Sequence, residues 1–202
     1  MRSLPERALT EEEYLRLEES SPLRHEFVAG QVFAMTGASL RHNVIALNLA
    51  ATLHAHLRAS PCRVFMADAR VRVTRAHAHY YPDVVVSCGP ELQRLDPEMR
   101  AVDDALLVVE VLSTKTEATD RREKLLAYRT LPSIKEYVLV SQEEARVEVH
   151  RRQGDVSWEV LEYTGPEELE LASVGLRVSL REVYDGVPIE ALVREPGGWA
   201  SG

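Results

Sequence analysis

The chain has 202 residues, of which 45% are hydrophobic, and this length suits one well-buried core rather than two. Thirty-two acidic residues against 24 basic residues give a formal net charge of −8, which disfavours non-specific binding to a polyanion. The apolar runs are too short to cross a membrane and no secretory signal is recognisable, so we expect a cytoplasmic protein without membrane association.

We expect one domain over residues 1–195 and a frayed tail over residues 196–202, where a Pro-Gly-Gly sequence begins. Cys62 and Cys88 are the two cysteines, and they lack the CxxC spacing of a zinc or redox motif. In a cytoplasmic protein both are expected to stay reduced, without a disulfide.

Hydrophobic periodicity, capping residues and turn residues predict a mixed order of helices and strands. The predicted elements, in chain order, are a helix at 11–19, a hairpin of strands at 23–28 and 31–35, the longest helix at 39–58, strands at 63–66, 69–74, 81–87 and 105–112, a helix from 120 to about 131, a strand at 136–141, a hairpin of strands at 146–150 and 157–163, and a peripheral strand with a helical turn within 174–180. This order predicts an α/β (α+β mixed) fold, in which helices flank a central mixed sheet and hairpins lie near both ends of the chain.

Two local patterns carry further expectations. Thr10 with Glu13 forms a capping box for the first helix, and Asp120 is expected to be the N-cap of its own helix. Arg70 and Arg72 alternate along a predicted strand, which puts both guanidinium groups on one face. A solvated strand face is the favoured interpretation of this pair, ahead of a nucleic-acid contact.

Two acidic residues lie within apolar strand sequences and are the first candidates for chemistry. Asp83 follows Pro82 and precedes three valines, and Glu110 lies in the apolar strand at 105–112. A buried carboxylate is costly unless it is paired or bound to a metal. On neighbouring strands the two acids would form the oxygen-rich environment that Mg²⁺ prefers. The alternative is that each acid lies at a strand end, exposed or paired with an arginine.

The chain resembles the Uma-type restriction endonuclease family within the PD-(D/E)XK nuclease superfamily. The resemblance covers most of the chain, and its motifs are Glu26 with Gly30, Ser39 to His42, Pro82-Asp83, Glu110-Val111-Leu112-Ser113, and Asp120 with Lys124 and Tyr128. It implies a restriction-endonuclease-like core. It also implies that Asp83, Glu110 and the backbone carbonyl of Val111 bind Mg²⁺, for which Mn²⁺ can substitute, and that a lysine assists the attacking water.

The chain departs from the superfamily pattern two residues after Glu110, where Leu112 stands at the position of the usual lysine. Lys124 matches a helical lysine of the Uma-type pattern and lies one turn after Asp120. We therefore expect Lys124 to be catalytic, with Asp120 helping to position it. The alternative is an exposed lysine that pairs with Asp120.

Two further residues are additional candidates for the site. Glu26 is either close to the metal or an ordinary polar residue of the first hairpin. His42 either contacts a phosphate or caps the start of the long helix.

These residues predict a Mg²⁺-dependent endonuclease that hydrolyses phosphodiester bonds, with DNA as the favoured substrate, the choice between DNA and RNA left open, and a homodimer as the expected assembly. Two alternatives differ in class. One is a catalytically silent nuclease-fold module that binds DNA or protein, and the other is a structural protein in which arginines neutralise both strand acids.

Overall fold

The structure is a computed structural model that describes residues 7–35, 37–93, 96–114 and 116–189. The predicted tail at 196–202 lies outside these residues, and the domain boundary at residue 195 stays a prediction. Four helices are found in the described part of the chain: α1 (Glu11–Ser20), α2 (Leu40–His56), α3 (residues 117–129) and α4 (Leu180–Val183). The strands are β1 (His25–Val28), β2 (Gln31–Ala34), β3 (Arg63–Met66), β4 (Arg70–Val73), β5 (Ala78–Tyr80), β6 (Val84–Ser87), β7 (Ala101–Val102), β8 (Ala105–Val111), β9 (Glu136–Val140), β10 (Arg146–Gln153), β11 (Ser157–Thr164), β12 (Glu168–Leu171) and β13 (Leu176–Ser179).

A six-stranded mixed sheet forms the centre of the fold, in the order β11-β10-β9-β8-β6-β3. Strands β8 and β9 are parallel, and the other neighbours are antiparallel. A five-stranded sheet has the order β2-β1-β5-β4-β7, and β12 pairs with β13 alone. The predicted mixed α/β fold with a central mixed sheet and two hairpins is confirmed.

Two hydrophobic clusters cover the two faces of the central sheet. Alternate residues of β8 belong to different clusters. Val109 packs with the residues of α2, and Val108 packs with those of α3 and the five-stranded sheet. Because successive side chains of a strand point to opposite faces, this division requires β8 to be apolar on both sides. The nearly continuous apolar sequence of β8 is explained in this way.

Local signals placed most helix starts correctly. The capping box of Thr10 and Glu13 is present, and the Ser39 hydroxyl accepts a hydrogen bond from the backbone of His42 at the start of α2. The expectation that Asp120 is an N-cap is wrong, because α3 begins at Glu117 and Asp120 lies inside it, 1% exposed. Its carboxylate is turned inward to a buried lysine, and this ion pair outweighs the local preference of aspartate for a cap.

The expectation that both cysteines stay reduced is also wrong, since the structure joins Cys62 and Cys88 in a disulfide. The reason lies in the pairing of β3 with β6, which was not visible in the sequence. Arg63 pairs with Ser87 in this antiparallel ladder. The next positions outward are the two cysteines, whose Cα atoms are 3.9 Å apart.

Candidate active site

The pairing of β6 with β8 brings the two strand acids together. Val84 pairs with Val109, so the same antiparallel register, continued by one residue, sets Asp83 opposite Glu110. Asp83 Oδ2 accepts a 2.7 Å hydrogen bond from the backbone N–H of Val111. Strand β6 begins after Asp83, which leaves this side chain 22% exposed, whereas Glu110 within β8 is buried. The two acids therefore lie at the rim and in the depth of one site.

Lys124 lies at the centre of a carboxylate cluster and not at the surface. Its Nζ is 2.9 Å from Glu26 Oε1, 3.1 Å from Glu110 Oε1 and 3.2 Å from Asp120 Oδ1, and the residue is 5% exposed. The ring of Tyr80 adds a cation–π contact, with its centroid 5.6 Å from Nζ. The alternative of an exposed lysine is thereby excluded, and Glu26 and Asp120 both belong to the cluster.

The cluster contains more negatively charged groups than positively charged ones. Burial by itself would lower the pKa of Lys124, but the carboxylates of Glu110, Glu26 and Asp120 outweigh it and raise that pKa well above its ordinary value. Complete burial raises the pKa of Glu110; Lys124 opposes this rise, while the neighbouring carboxylates add to it. One ammonium shared by three carboxylates leaves the buried site short of positive charge.

His42 is the partner of Asp83. Its Nε2 lies 3.1 Å from Asp83 Oδ2, and Ser39 rather than His42 caps the helix start. Burial lowers the pKa of His42, but the carboxylate of Asp83 opposes this effect and the pKa is raised overall. The interpretation of His42 as a helix cap is therefore wrong, and its side chain lies at the rim of the candidate site.

An irregular turn of α3 positions Asp120 and Lys124. Residues Asp120–Lys124 form a π-helical turn, a geometry that often occurs at functional sites. The hydroxyl of Tyr137, on β9, donates a 3.0 Å hydrogen bond to the backbone carbonyl of Asp120. Sequence analysis did not single out Tyr137 or Tyr80, because a tyrosine in an apolar strand is an ordinary core residue. Only the position of the Tyr137 hydroxyl, against the carbonyl of Asp120, distinguishes Tyr137 from an ordinary core residue.

Several buried polar atoms around this cluster have no hydrogen-bond partner within the described part of the chain. They include His42 Nδ1, Asp120 Oδ1 and the Tyr128 hydroxyl. Asp120 Oδ1 is within ion-pair distance of Lys124, but without the alignment of a hydrogen bond. Since buried polar groups are normally satisfied, each of these three atoms is open to a water, an ion or a ligand.

The donor set agrees in kind with a hard divalent cation. Asp83 and Glu110 provide carboxylate oxygens, and Val111, the next residue of β8, has a backbone carbonyl. Among residues 7–35, 37–93, 96–114 and 116–189, no group of three or more His, Cys, Asp or Glu side chains forms a ready metal cage. Mg²⁺ does not require one, because it commonly binds through one or two carboxylates and takes its remaining ligands from water and substrate phosphate. The residues therefore fit this ion.

A comparison with known protein families and sequences gives matches over most of the chain. Residues 11–181 match the model of a family named Uma2 and described as "Putative restriction endonuclease". The uncharacterized protein slr1290 of Synechocystis sp. is 34% identical over 185 residues, which cover 92% of this chain and 96% of that protein. The uncharacterized protein sll1609 of the same organism is 34% identical over 157 residues, 78% of this chain and 88% of that protein.

A solved structure supports the same fold. It is a crystal structure from Anabaena variabilis, described as a putative nuclease belonging to DUF820, with a TM-score of 0.72 and 17% sequence identity. The match covers 89% of this chain and 99% of that one. At this identity the likeness shows the fold.

None of the helices in the described ranges is long and apolar enough to span a bilayer.

Proposed function

Since the chain belongs to the Uma2 family of restriction-endonuclease-like proteins, we propose that it is a Mg²⁺-dependent endonuclease that hydrolyses phosphodiester bonds in DNA. The observation that carries this proposal is the convergence of Asp83, Glu110 and the buried ammonium of Lys124 at the ends of β6 and β8. The acids are paired with a lysine and a histidine, in contrast to the arginine pairs that a purely structural protein would require.

Asp83, Glu110 and the backbone carbonyl of Val111 would hold Mg²⁺, with Mn²⁺ as a substitute. When bound, the ion supplies a more acidic water and neutralises charge on a phosphate. His42 holds one oxygen of Asp83, which fixes that carboxylate toward the site.

Lys124 supplies the positive charge for the anionic transition state. Glu26 and Asp120 hold its ammonium at 2.9 and 3.2 Å, so that the long side chain is fixed before substrate arrives. The ammonium of Lys124 thereby reaches, from α3, the part of the site that a lysine at the position of Leu112 would occupy. Glu26 and Asp120 are therefore proposed as positioning residues.

The experiment is a cleavage assay on supercoiled plasmid, linear duplex and single-stranded DNA, with RNA as a further substrate. Wild-type protein is expected to cut with Mg²⁺ or Mn²⁺ and to stop with EDTA. Asp83→Ala and Glu110→Ala are each expected to be inactive, because both remove a ligand of the ion. Asp155→Ala, which removes an exposed carboxylate in a hairpin turn, is the matched control and is expected to cut like wild type.

Lys124→Ala tests the lysine separately. We expect slower cleavage while Mg²⁺ binding is retained, whereas Lys135→Ala, at an exposed lysine, is expected to leave the rate unchanged. Failure of folded, metal-loaded wild type on every substrate, or cleavage by Asp83→Ala at the wild-type rate, would leave the silent DNA-binding or protein-binding module as the function.

Two finer proposals accompany this function. A double-strand cut needs two active sites in a two-fold arrangement, and we propose a homodimer for this reason. Light scattering of the purified protein would measure the mass directly, and a monomer with full double-strand activity would contradict the dimer. We also propose that the protein acts in the cytoplasm, where it would meet its DNA substrate.

A further inference from the structure

A cavity lies beside the candidate active site and is separate from it. Its volume is about 1080 Å³, and its walls come from α1, the five-stranded sheet and the loop before β7. Asp83, Glu110 and Lys124 do not line it, but Tyr81 does, two residues before Asp83. A space of this size is comparable to small-molecule sites.

An arginine with unused hydrogen-bonding capacity lines this cavity. Arg70 lies on β4, half-buried, and its guanidinium lies over the ring of Tyr14, 5.9 Å from the centroid. Its Nε is buried and has no hydrogen-bond partner, and no carboxylate of the described residues lies within ion-pair distance. A guanidinium group fixed in this way and left unsatisfied is suited to an anionic group such as a phosphate.

His79 presents a second unsatisfied atom, of opposite character. The residue is 2% exposed, and its Nε2 lies 2.9 Å from Glu11 Oε1. A carboxylate only accepts hydrogen bonds, so Nε2 carries the proton in a ring whose pKa burial lowers. Nδ1 is then an acceptor, and it has no partner in the described part of the chain. This atom is itself buried, so His79 forms a fixed part of the cavity wall, packed against Tyr14 and Phe27.

An apolar annex of about 310 Å³ adjoins the larger cavity. Ala101 and Val102 line both spaces, and Phe65 and Met66 complete the apolar wall of the annex. Ala101 also pairs with Arg70 across β7 and β4, so the apolar space begins next to the guanidinium. A planar apolar group could enter the annex while an attached anion remains at Arg70.

The remaining charges limit how anionic the ligand can be. Seven carboxylates and four guanidinium groups line the larger cavity. Arg72 is paired with Asp103 at 2.8 Å, and Arg24 lies 3.4 Å from Asp68. Arg70 is therefore a free positive charge within walls that are acidic overall. Such walls favour a ligand with one phosphate over a polyphosphate.

We propose that this cavity binds one nucleotide unit, with the phosphate at Arg70 and the base in the annex. The unit is either a free nucleoside monophosphate or an unpaired nucleotide of a nucleic-acid strand. This site goes beyond the nuclease function, because its ligands are not those of the metal and its occupancy needs no divalent ion.

The test is calorimetric titration of the full-length protein in EDTA with the four common nucleoside monophosphates, adenosine and inorganic phosphate. A second arm uses an oligonucleotide duplex with one unpaired nucleotide, against a fully paired duplex. Binding of at least one monophosphate more tightly than phosphate or adenosine identifies a free-nucleotide site. Preference for the unpaired duplex identifies a nucleic-acid site.

Two variants connect either result to the cavity. Arg70→Gln is expected to weaken binding at least tenfold, while Arg75→Gln, at an exposed arginine outside the cavity, leaves it unchanged. Ala101→Trp, which fills the junction with the annex, is expected to weaken nucleotide binding but to leave any weak phosphate binding intact. Absence of binding in both arms, or wild-type affinity in folded Arg70→Gln and Ala101→Trp, overturns the proposal. EDTA separates this outcome from failure of the nuclease assay.

Discussion

Glu110 and Glu136 lie on neighbouring parallel strands of the central sheet, both buried and both facing a basic side chain. Glu136 accepts hydrogen bonds from the Arg151 guanidinium at 2.8 Å, from two backbone N–H groups and from the hydroxyl of Ser173. Glu110 instead shares the single ammonium of Lys124 with two other carboxylates. The first residue is satisfied by the fold, whereas the second is left in a site with excess negative charge.

The difference distinguishes a structural buried acid from a functional one. Burial is nearly equal, with Glu136 at 0% and Glu110 at 4% exposure, so burial does not separate them. The number and alignment of the hydrogen-bond donors around each carboxylate separate the two residues. A carboxylate with four donors gains little from a cation, but a cluster of carboxylates around one ammonium would gain much.

The largest expected effect comes from removing each negative charge by an isosteric substitution. Glu136→Gln is expected to lower the free energy of unfolding by about 3 kcal/mol, because it breaks a buried, fully hydrogen-bonded ion pair. Glu110→Gln is expected to change it by less than about 1 kcal/mol without metal, because it also relieves repulsion between carboxylates. Urea denaturation in EDTA measures both. Equal losses would remove the distinction between the two acids.

The basic partners sharpen the same contrast. Arg151→Met and Lys124→Met are each expected to cost about 3 kcal/mol without divalent ions, since both leave a buried carboxylate unpaired. Millimolar Mg²⁺ should restore much of the stability of Lys124→Met and none of that of Arg151→Met, because only the first site would bind the cation. Thermal unfolding with and without MgCl₂ is the measurement. A similar response of both variants would argue against a metal site at Glu110.

Proton release on metal binding tests the charge state of the Glu110 cluster. Burial and the neighbouring carboxylates raise the pKa of Glu110, so the folded, metal-free protein gives up this proton at a higher pH than the unfolded chain does. Mg²⁺ bound at this carboxylate would lower that pKa and release the proton, so we expect the affinity for Mg²⁺ to rise with pH. Calorimetry in buffers of different ionisation enthalpy counts the protons. Glu110→Gln should release none, and binding by wild type without release would contradict this expectation.

The smallest effects concern single hydroxyls. Ser173→Ala is expected to cost about 1.5 kcal/mol, because it removes a hydrogen bond to the charged Glu136. Tyr128→Phe is expected to be neutral or slightly stabilising, because its buried hydroxyl has no partner in the part of the chain that the structure describes. Denaturation midpoints compare the two variants directly. A loss of more than about 1 kcal/mol for Tyr128→Phe would mean that its hydroxyl is satisfied in solution.

The sequence by itself determined the elements and several candidates for the site. Apolar periodicity and capping residues located α1, α2, both hairpins and the apolar strand β8, because these signals act over a few neighbouring residues. An acid within an apolar strand is unusual enough to be found without a structure, and Asp83 and Glu110 were identified in this way. The family resemblance added Lys124, which no local pattern would have separated from a surface lysine.

Only the tertiary structure decided which polar groups meet. The register of β6 against β8 sets Asp83 opposite Glu110, and the register of β3 against β6 brings the two cysteines together. Lys124 is buried because α3 packs over the sheet. Since that helix begins at Glu117, Asp120 lies inside it, and its buried carboxylate pairs with the Lys124 ammonium instead of capping the helix. Such contacts join residues far apart in the chain, and their energies depend on burial and alignment. Local sequence does not encode these quantities.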